Sequence, residues 1–294
     1  MLFIFVLSIL EYSFSNYMVR FVDCFIFNDE LDLLEFRFEE HDSFTDLFIL
    51  IESSKTFSGK PKPLHASSNI ERFHRWAHKL IVIVINEKLI EKKHGFGLEE
   101  FSRHIGIQKI KDLLDKNILN PDDILSVVSD VDEIYDEDEI LKIKKPSGEE
   151  GALSHPIRPL LRFHYYSLKI GRPSNMHWSP QKRLKIIRAK DLKEFTIEEI
   201  QHKTGPLHDK EKMGWHLSYF GGVEMVRKKL SEFSHSSMKN VRECIDNPEL
   251  IRQRIENNED ILGRSWEKLV VMEPEKIPKR TDLIVLYQLD AIYT

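Results

Sequence analysis

The chain has little cysteine: two residues in 294, Cys24 and Cys244. That excludes a disulfide-stapled scaffold, and Cys24 lies in so apolar a run that a buried free thiol is the expected state. No Asn-x-Ser/Thr acceptor occurs, so the protein itself should carry no N-glycan. Positive charge is not in excess either. Lys and Arg number 43 against 48 Asp and Glu, a net charge of -5 with an isoelectric point near 6.2, which argues against a nucleic-acid binder, whose footprint is a basic face, and leaves room only for local basic patches. A long hydrophobic run is also missing. Met1 to Leu10 is apolar but stops at Glu11, too short for a membrane-spanning helix. It has the length of a signal-peptide core, with Ser13-Phe14-Ser15 as a small-x-small cleavage site but no positive segment before it; the alternative is an irregular N-terminus. Residues 1–15 therefore leave two expectations, the Golgi or ER lumen if they target the chain and the cytoplasm if they do not, with membrane association open. There is no internal repeat and no low-complexity tract.

What is present is an ordinary globular composition, 41% hydrophobic and 31% charged, and we read residues 16–294 as one α/β domain. Val19 to Phe27 is apolar on both faces, as a central strand of a parallel sheet is. Asn28-Asp29-Glu30 ends it, and Leu31, Leu34 and Phe38 then recur at helical spacing, so Asn28 and Glu30 lie at a strand-to-helix turn. Leu47 to Ile51 is a second buried strand. The polar loop after it, Glu52 to Pro63, is rich in donors and includes Lys55, Lys60 and Lys62. Leu80 to Ile85 continues the β-α-β alternation, and Phe101 to Leu114 reads as a helix with Arg103 near its start. Glu137 to Lys145 reads as a charged surface segment, Met238 to Glu259 as amphipathic helix, and Leu283 to Leu286 as an edge strand.

The chain is organised around Asp122 to Ile134. Ile124 to Val128 is a short, wholly apolar strand entered through Asn120-Pro121-Asp122-Asp123, and it leaves into the acids Asp130, Asp132 and Glu133. Ligands of open α/β sheets bind in the crevice outside the carboxyl ends of the strands. Carboxylates there suit a hard cation with oxygen ligands. An EF-hand is excluded, because Tyr135 stands where its glycine belongs and Leu141 where its last carboxylate belongs.

Two aromatic segments, Arg162 to Leu168 and Asn175 to Trp178, combine rings with polar tips of the kind a sugar packs against, though such aromatics equally serve a core. In Gly214-Trp215-His216-Leu217-Ser218, His216 is a metal-ligand candidate, with a structural histidine as the alternative. Gly221-Gly222 marks a tight strand-to-helix turn that brings Glu224 into the first helical turn.

Three separated stretches together resemble glycosyltransferase family 17, the β-1,4-mannosyl-glycoprotein β-1,4-N-acetylglucosaminyltransferases. They are Asp23 to Glu35 with Glu52-Ser53 and Thr56 to Pro63; Ser129-Asp130-Val131-Asp132-Glu133-Ile134; and Gly214 to Ser218. The likeness departs at Tyr135, at Ser102-Arg103 and around Asp209 to Lys212, which bears on acceptor choice more than on donor chemistry. The resemblance implies a GT-A-type α/β fold, a mostly parallel central sheet flanked by helices. It implies an inverting transferase that moves GlcNAc from UDP-GlcNAc to a glycan or glycoprotein acceptor, a β-linked mannose of an N-glycan-like substrate, by a β-1,4 linkage. Mn2+ or Mg2+ would sit on Asp130 and Asp132 with His216 completing the shell. The donor would lie near Asn28, Glu30, Glu52, Lys60, Arg103, Asp130 and Trp215. The general base would be Glu224, with Asp209 and Glu133 behind it. The same acids also allow a metal-dependent phosphoesterase acting on nucleotide sugars, and the aromatics a non-catalytic carbohydrate-binding relative.

Overall fold

A computed structural model of the chain describes residues 4–6, 18–91, 97–173, 185–194, 208–233, 236–264 and 267–290. Its frame is set by strands with apolar residues on both faces. Phe21–Phe27 (β2) is buried throughout, as is Leu80–Ile85 (β4), and Leu47–Ser53 (β3) is buried from its second residue on. Sequences this apolar are stable only with both faces covered, which is the condition of a parallel sheet between helices. Ile124–Asp130 (β5) completes the set. The order β4-β3-β2-β5 is parallel throughout. Strand Ile4–Val6 (β1) joins β4 in antiparallel fashion. On the far side, Lys185–Arg188 (β10) runs antiparallel between β5 and Ile157–Pro159 (β7), and His208–Lys210 (β11) closes the edge.

The helices Leu31–His41 (α1) and Leu98–Asp115 (α2) cover the sheet. Ile107, Ile110 and Leu113 of α2 pack on Val22, Cys24, Ile51 and Val128. Leu34, Phe36 and Phe38 of α1 join Phe25, Phe48 and Trp76 in a second core. This is the expected α/β architecture, a mostly parallel central sheet flanked by helices.

A second sheet, order β13-β9-β8-β12-β6, stands beside the first. Its strands are Glu133–Tyr135 (β6), Arg162–Tyr165 (β8), Ile170–Gly171 (β9), Gly214–Ser218 (β12) and Val270–Val271 (β13). Phe163, Tyr165 and Tyr166 are core residues here, packed with Val226, Val241 and Ile251, so the aromatics of this segment serve the interior. Asn175 to Trp178 lies outside the described residues. Glu137–Ile143 (α3) is a helix with Ile140 and Ile143 buried, where the sequence suggested only charged surface. Gly222–Glu232 (α4) follows β12. Asn247-Pro248 divides the expected long helix into Lys239–Asp246 (α5) and Pro248–Glu256 (α6), since proline starts a helix readily and does not continue one. Leu283 to Leu286 is helical, within Thr281–Leu286 (α7), not an edge strand. Among the described residues no helix is long and apolar enough to cross a membrane.

One buried network ties the sheet to the acidic turn. Asp23, mid-strand in β2, is fully buried, and so are Arg37 and His41 of α1. Arg37 donates through Nε and Nη2 to both carboxylate oxygens of Asp23, at 2.9 and 2.6 Å. Its Nη1 donates to the carbonyls of Asp130 (2.9 Å), Val131 (3.3 Å) and Glu133 (2.6 Å). His41 Nε2 accepts the Tyr135 amide at 2.8 Å, so the ring proton belongs on Nδ1, which faces Asp23 at 2.9 Å. The imidazole is therefore neutral. Burial brings the His41 pKa down to about 4 against the pull of Asp23. Burial alone would raise Asp23, but Arg37 and His41 outweigh it and hold it at about 2.

Two outcomes follow. Arg37→Gln leaves the Asp23 charge uncompensated in the interior and should cost about 3–5 kcal/mol in urea unfolding. For pH, the unfolded His41 binds its proton near 6.5 and the folded one near 4, so stability should fall as pH drops through that window; below it the Asp23 contribution is lost as pH approaches about 2. Thermal melts across pH should show the first loss reduced in His41→Gln.

Candidate functional site

Strand order and chain order part company between β2 and β5. From β2 the chain moves outward to β3 and β4, then returns through α2 to place β5 on the other side of β2. That reversal is a topological switch point, and the crevice at its carboxyl edge is where open α/β sheets take ligands. Asn28, Asp29 and Glu30 follow β2 there, and Val131-Asp132 follows β5. The Asp-x-Asp turn also leads out of the first sheet into β6 of the second. In that second sheet β12 pairs antiparallel with β6, with His216 opposite Glu133, and this register delivers His216 to the turn.

Helix α4 lies against this edge and supplies it with positive charge. Lys229 Nζ is 2.7 Å from Asp132 Oδ2 and 3.5 Å from Glu30 Oε1. Lys228 pairs with Asp29. Asn28 Nδ2 donates to Glu232 Oε2 at 2.5 Å, and its buried Oδ1 has no hydrogen-bond partner. His216 Nε2 stands 3.4 Å from Asp132 Oδ1. Burial opposes charge on Asp132, His216 and Lys229 alike. Their mutual attraction wins: Asp132 is held well below the carboxylate range by Lys229 and His216, while the carboxylates raise His216 and Lys229. Lys62, buried 3.7 Å from Glu52, is the lysine of the polar loop that belongs to this charge cluster.

Several expected site residues have other work. Glu52 is fully buried and accepts from the amides of Ala66 and Ser67 and the Ser67 hydroxyl, capping the helical turn His65–Ser68. Trp215 points to the opposite face of β12 from His216, because alternate strand residues do; it is buried with Leu217 in the α1 core, its Nε1 on the Lys276 carbonyl. Lys60 is exposed and its ammonium meets the Ser231 carbonyl at the end of α4. Arg103 is buried and donates to the Val128 carbonyl, Glu99 and the Asp130 carboxylate. Asp209 sits on β11, three strands beyond β5, or about 14 Å at the usual strand spacing of about 4.8 Å, in a bidentate pair with Arg158. Its charged partner is thus Arg158 and not a group of the cluster around Asp132. Glu133 is buried, its pKa pushed up to about 7 by burial and by Asp130, and its Oε2 accepts the Asp130 amide at 2.8 Å.

The expectation of Mn2+ or Mg2+ on Asp130, Asp132 and His216 does not fit these side chains. Asp130 turns to Arg103, and Asp132 gives Oδ2 to the Lys229 ammonium while its buried Oδ1 has no hydrogen-bond partner. Among the described residues, no group of three or more His, Cys, Asp or Glu is gathered to hold a metal ion. The lysines of α4 were missed in the sequence. Lys228, Lys229 and Glu232 border the apolar stripe of Val226 and Leu230, a spacing that faces them to the sheet edge, but their partners lie up to 204 residues away.

Glu224 occupies a different place, in the first turn of α4, with a solvent-exposed carboxylate. It lines an open cleft of about 950 Å3 with Lys169, Gly221, Gly222, Arg252 and Tyr287. A smaller cavity of about 260 Å3 is lined by Asp29, Glu30, Lys228, Lys229, Gly221 and Tyr287. The two have Gly221 and Tyr287 in common, so they are neighbours with a shared wall.

Comparison with known proteins adds the following. The model of glycosyltransferase family 17 matches residues 8–273. The β-1,4-mannosyl-glycoprotein 4-β-N-acetylglucosaminyltransferases of Rattus norvegicus, Homo sapiens and Mus musculus are each 26% identical over 136 residues, 44% of this chain and 24% of theirs. The match thus spans about a quarter of the length of these curated relatives. Among solved structures, 4-diphosphocytidyl-2C-methyl-D-erythritol synthase aligns over 67% of this chain and 89% of its own with a TM-score of 0.36 and 11% identity.

The delivery of His216 depends on Gly214, whose φ is +152° and whose missing Cβ would lie 2.0 Å from the Ile134 carbonyl oxygen. Gly214→Ala should therefore part β12 from β6, lowering stability by about 2 kcal/mol or more in urea unfolding. A melt indistinguishable from that of the parent protein would show that the pairing does not depend on this close approach.

Proposed function

Because the chain belongs to glycosyltransferase family 17, we propose that it is a transferase that moves GlcNAc from UDP-GlcNAc to a mannose of a glycoprotein glycan, with inversion and β-1,4 linkage. The observation that carries this reading is a pair of neighbouring spaces with Gly221 and Tyr287 in their shared wall, a small cavity bordered by Asp29, Glu30, Lys228 and Lys229 and an open cleft bordered by Glu224. A transferase needs both, one for each substrate. Its working place would be the lumen of the secretory pathway, where glycoprotein mannose meets nucleotide sugars.

The donor would enter across the carboxyl ends of β2 and β5. Asn28 offers a buried carbonyl oxygen without a partner, suited to an N–H or O–H of the nucleoside. Lys62 and Lys228 bring positive charge to the side where the diphosphate departs. As the glycosidic bond breaks, positive charge grows on the sugar ring and negative charge on the leaving phosphate, and fixed charges already in position stabilise that separation without reorganising.

The acceptor would lie in the open cleft, its attacking hydroxyl turned to the sugar from the face opposite the diphosphate. A general base is needed on that side. Glu224 is the carboxylate placed for it, since it is exposed, lines the cleft and has only a distant contact with Arg227 at 4.0 Å. Glu133 has a pKa closer to neutrality, but its buried carboxylate is engaged with the turn.

Incubation with UDP-GlcNAc and a panel of mannose-terminated N-glycans should yield a GlcNAc-extended product by mass spectrometry. Glu224→Gln should lower kcat by about 100-fold or more while leaving the affinity for UDP-GlcNAc unchanged. UDP release from UDP-GlcNAc at the same rate with and without every acceptor would instead indicate a hydrolase. Binding of glycans without turnover would indicate a carbohydrate-binding module.

A further inference from the structure

In the charged crevice Asp132 has a cation already, and it belongs to the chain. The Asp132 side chain is 5% exposed and bounded by Lys229 Nζ at 2.7 Å and His216 Nε2 at 3.4 Å. Glu30 Oε1 lies 3.5 Å from the same ammonium. An ammonium group has three N–H donors. One is given to Asp132 Oδ2 at 2.7 Å, and the Tyr219 ring centroid lies 6.0 Å from the same nitrogen. The Lys229 side chain is still 31% exposed, and it lines the small cavity together with Asp29, Glu30 and Lys228. The ammonium-bearing side chain therefore borders the space where an anion would arrive.

The position is also fixed from both ends. Lys229 lies one turn from the carboxyl end of α4, and that end is pinned: the Ser58 amide donates to the Glu232 carbonyl at 2.8 Å, and Ser58 Oγ and Lys60 Nζ reach the Ser231 carbonyl. Asp132 is pinned through its turn by Arg37. Neither partner is carried on a free loop. A divalent ion coordinated by Asp132 would have to share one carboxylate with this ammonium, and like charges at that separation repel.

We propose that Lys229 is the cation of the donor site: its ammonium, seated on Asp132 and Glu30, receives the donor diphosphate directly, so that binding of the nucleotide needs no divalent ion. The inference rests on the transferase reading in that the ligand is a nucleoside diphosphate. Lysine is suited to the task as a point charge with rotatable donors. Lys62 and Lys228, in the same charge cluster, raise the positive potential around it.

The test is calorimetric titration of the full chain with UDP, and separately with UDP-GlcNAc, once in EDTA and once in excess Mn2+. Affinity in EDTA should lie within about threefold of that in Mn2+, and Lys229→Gln should weaken binding in EDTA by about tenfold or more, with Lys229→Arg recovering most of the loss. Thermal melts of each variant establish that it is folded; where the Gln variant is not, the wild-type comparison and the Arg variant decide. UDP binding that requires Mn2+ and is indifferent to Lys229→Gln would overturn the inference and leave the transferase reading standing. Absence of UDP and UDP-GlcNAc binding in both media would overturn both.

Discussion

The structure depends on one buried charge pair, Asp23 with Arg37. A carboxylate in the middle of a central strand has no water to solvate it, and burial without a partner would cost several kcal/mol. Arg37 answers with two donors, and the planar guanidinium has donors to spare. These go to three carbonyls of the Asp130–Glu133 turn, which a short turn between two sheets cannot satisfy within itself. The same residue therefore solves two problems of unpaired polarity. One consequence is geometric: the acidic turn is held by an arginine on α1, a helix whose own position is fixed by the core beneath it.

From that fixed turn the remaining site follows by register. β6 leaves the turn, β12 pairs with β6, and α4 leaves β12 after Gly221, whose φ of +103° few other residues would adopt. Each step carries one charged group to Asp132: His216 by strand pairing, then Lys229 by helical advance from Gly222. The second sheet is thus the device by which residues nearly a hundred positions from Asp132 arrive within hydrogen-bonding reach of it. The switch point between β2 and β5 supplies Asp29 and Glu30 to face them.

What could be read in the sequence was what local pattern specifies. β2, β3, β4 and β5 were legible because runs such as Leu80–Ile85 are apolar on both faces, and the turns at Glu30, Asp130 and Gly221-Gly222 because composition changes abruptly there. Leu283 to Leu286 was misread because a four-residue apolar run carries no period that separates strand from helix. The site was legible only where it lies at a strand end. Glu52 lies at such an end too, yet two backbone amides of the next helical turn claim it. Trp215 and His216 are neighbours in sequence and opposites in space, as strand alternation requires. Arg37, Lys228 and Lys229 could not be assigned, since what defines them is a partner some fourteen to two hundred residues away. A lone Asp23 inside Val-Asp-Cys-Phe was nevertheless a signal, because a charge in a strand with two buried faces requires a buried counter-charge.

The electrostatics of the crevice give a reason for such an arrangement. Asp29, Glu30 and Asp132 are balanced by Lys228, Lys229 and the raised His216, so the resting site holds paired charges in place of unpaired ones. Paired charges fixed by a sheet edge and a pinned helix end are dipoles that need no reorganisation when a substrate charge develops. On the proposed reading an arriving diphosphate would exchange solvent for Lys228 and Lys229, which border the cavity, and the acids paired with them keep those lysines protonated and in place. On that same reading the acids would act chiefly through the bases they hold, and the general base would be met in the open cleft, within hydrogen-bond reach of the attacking hydroxyl.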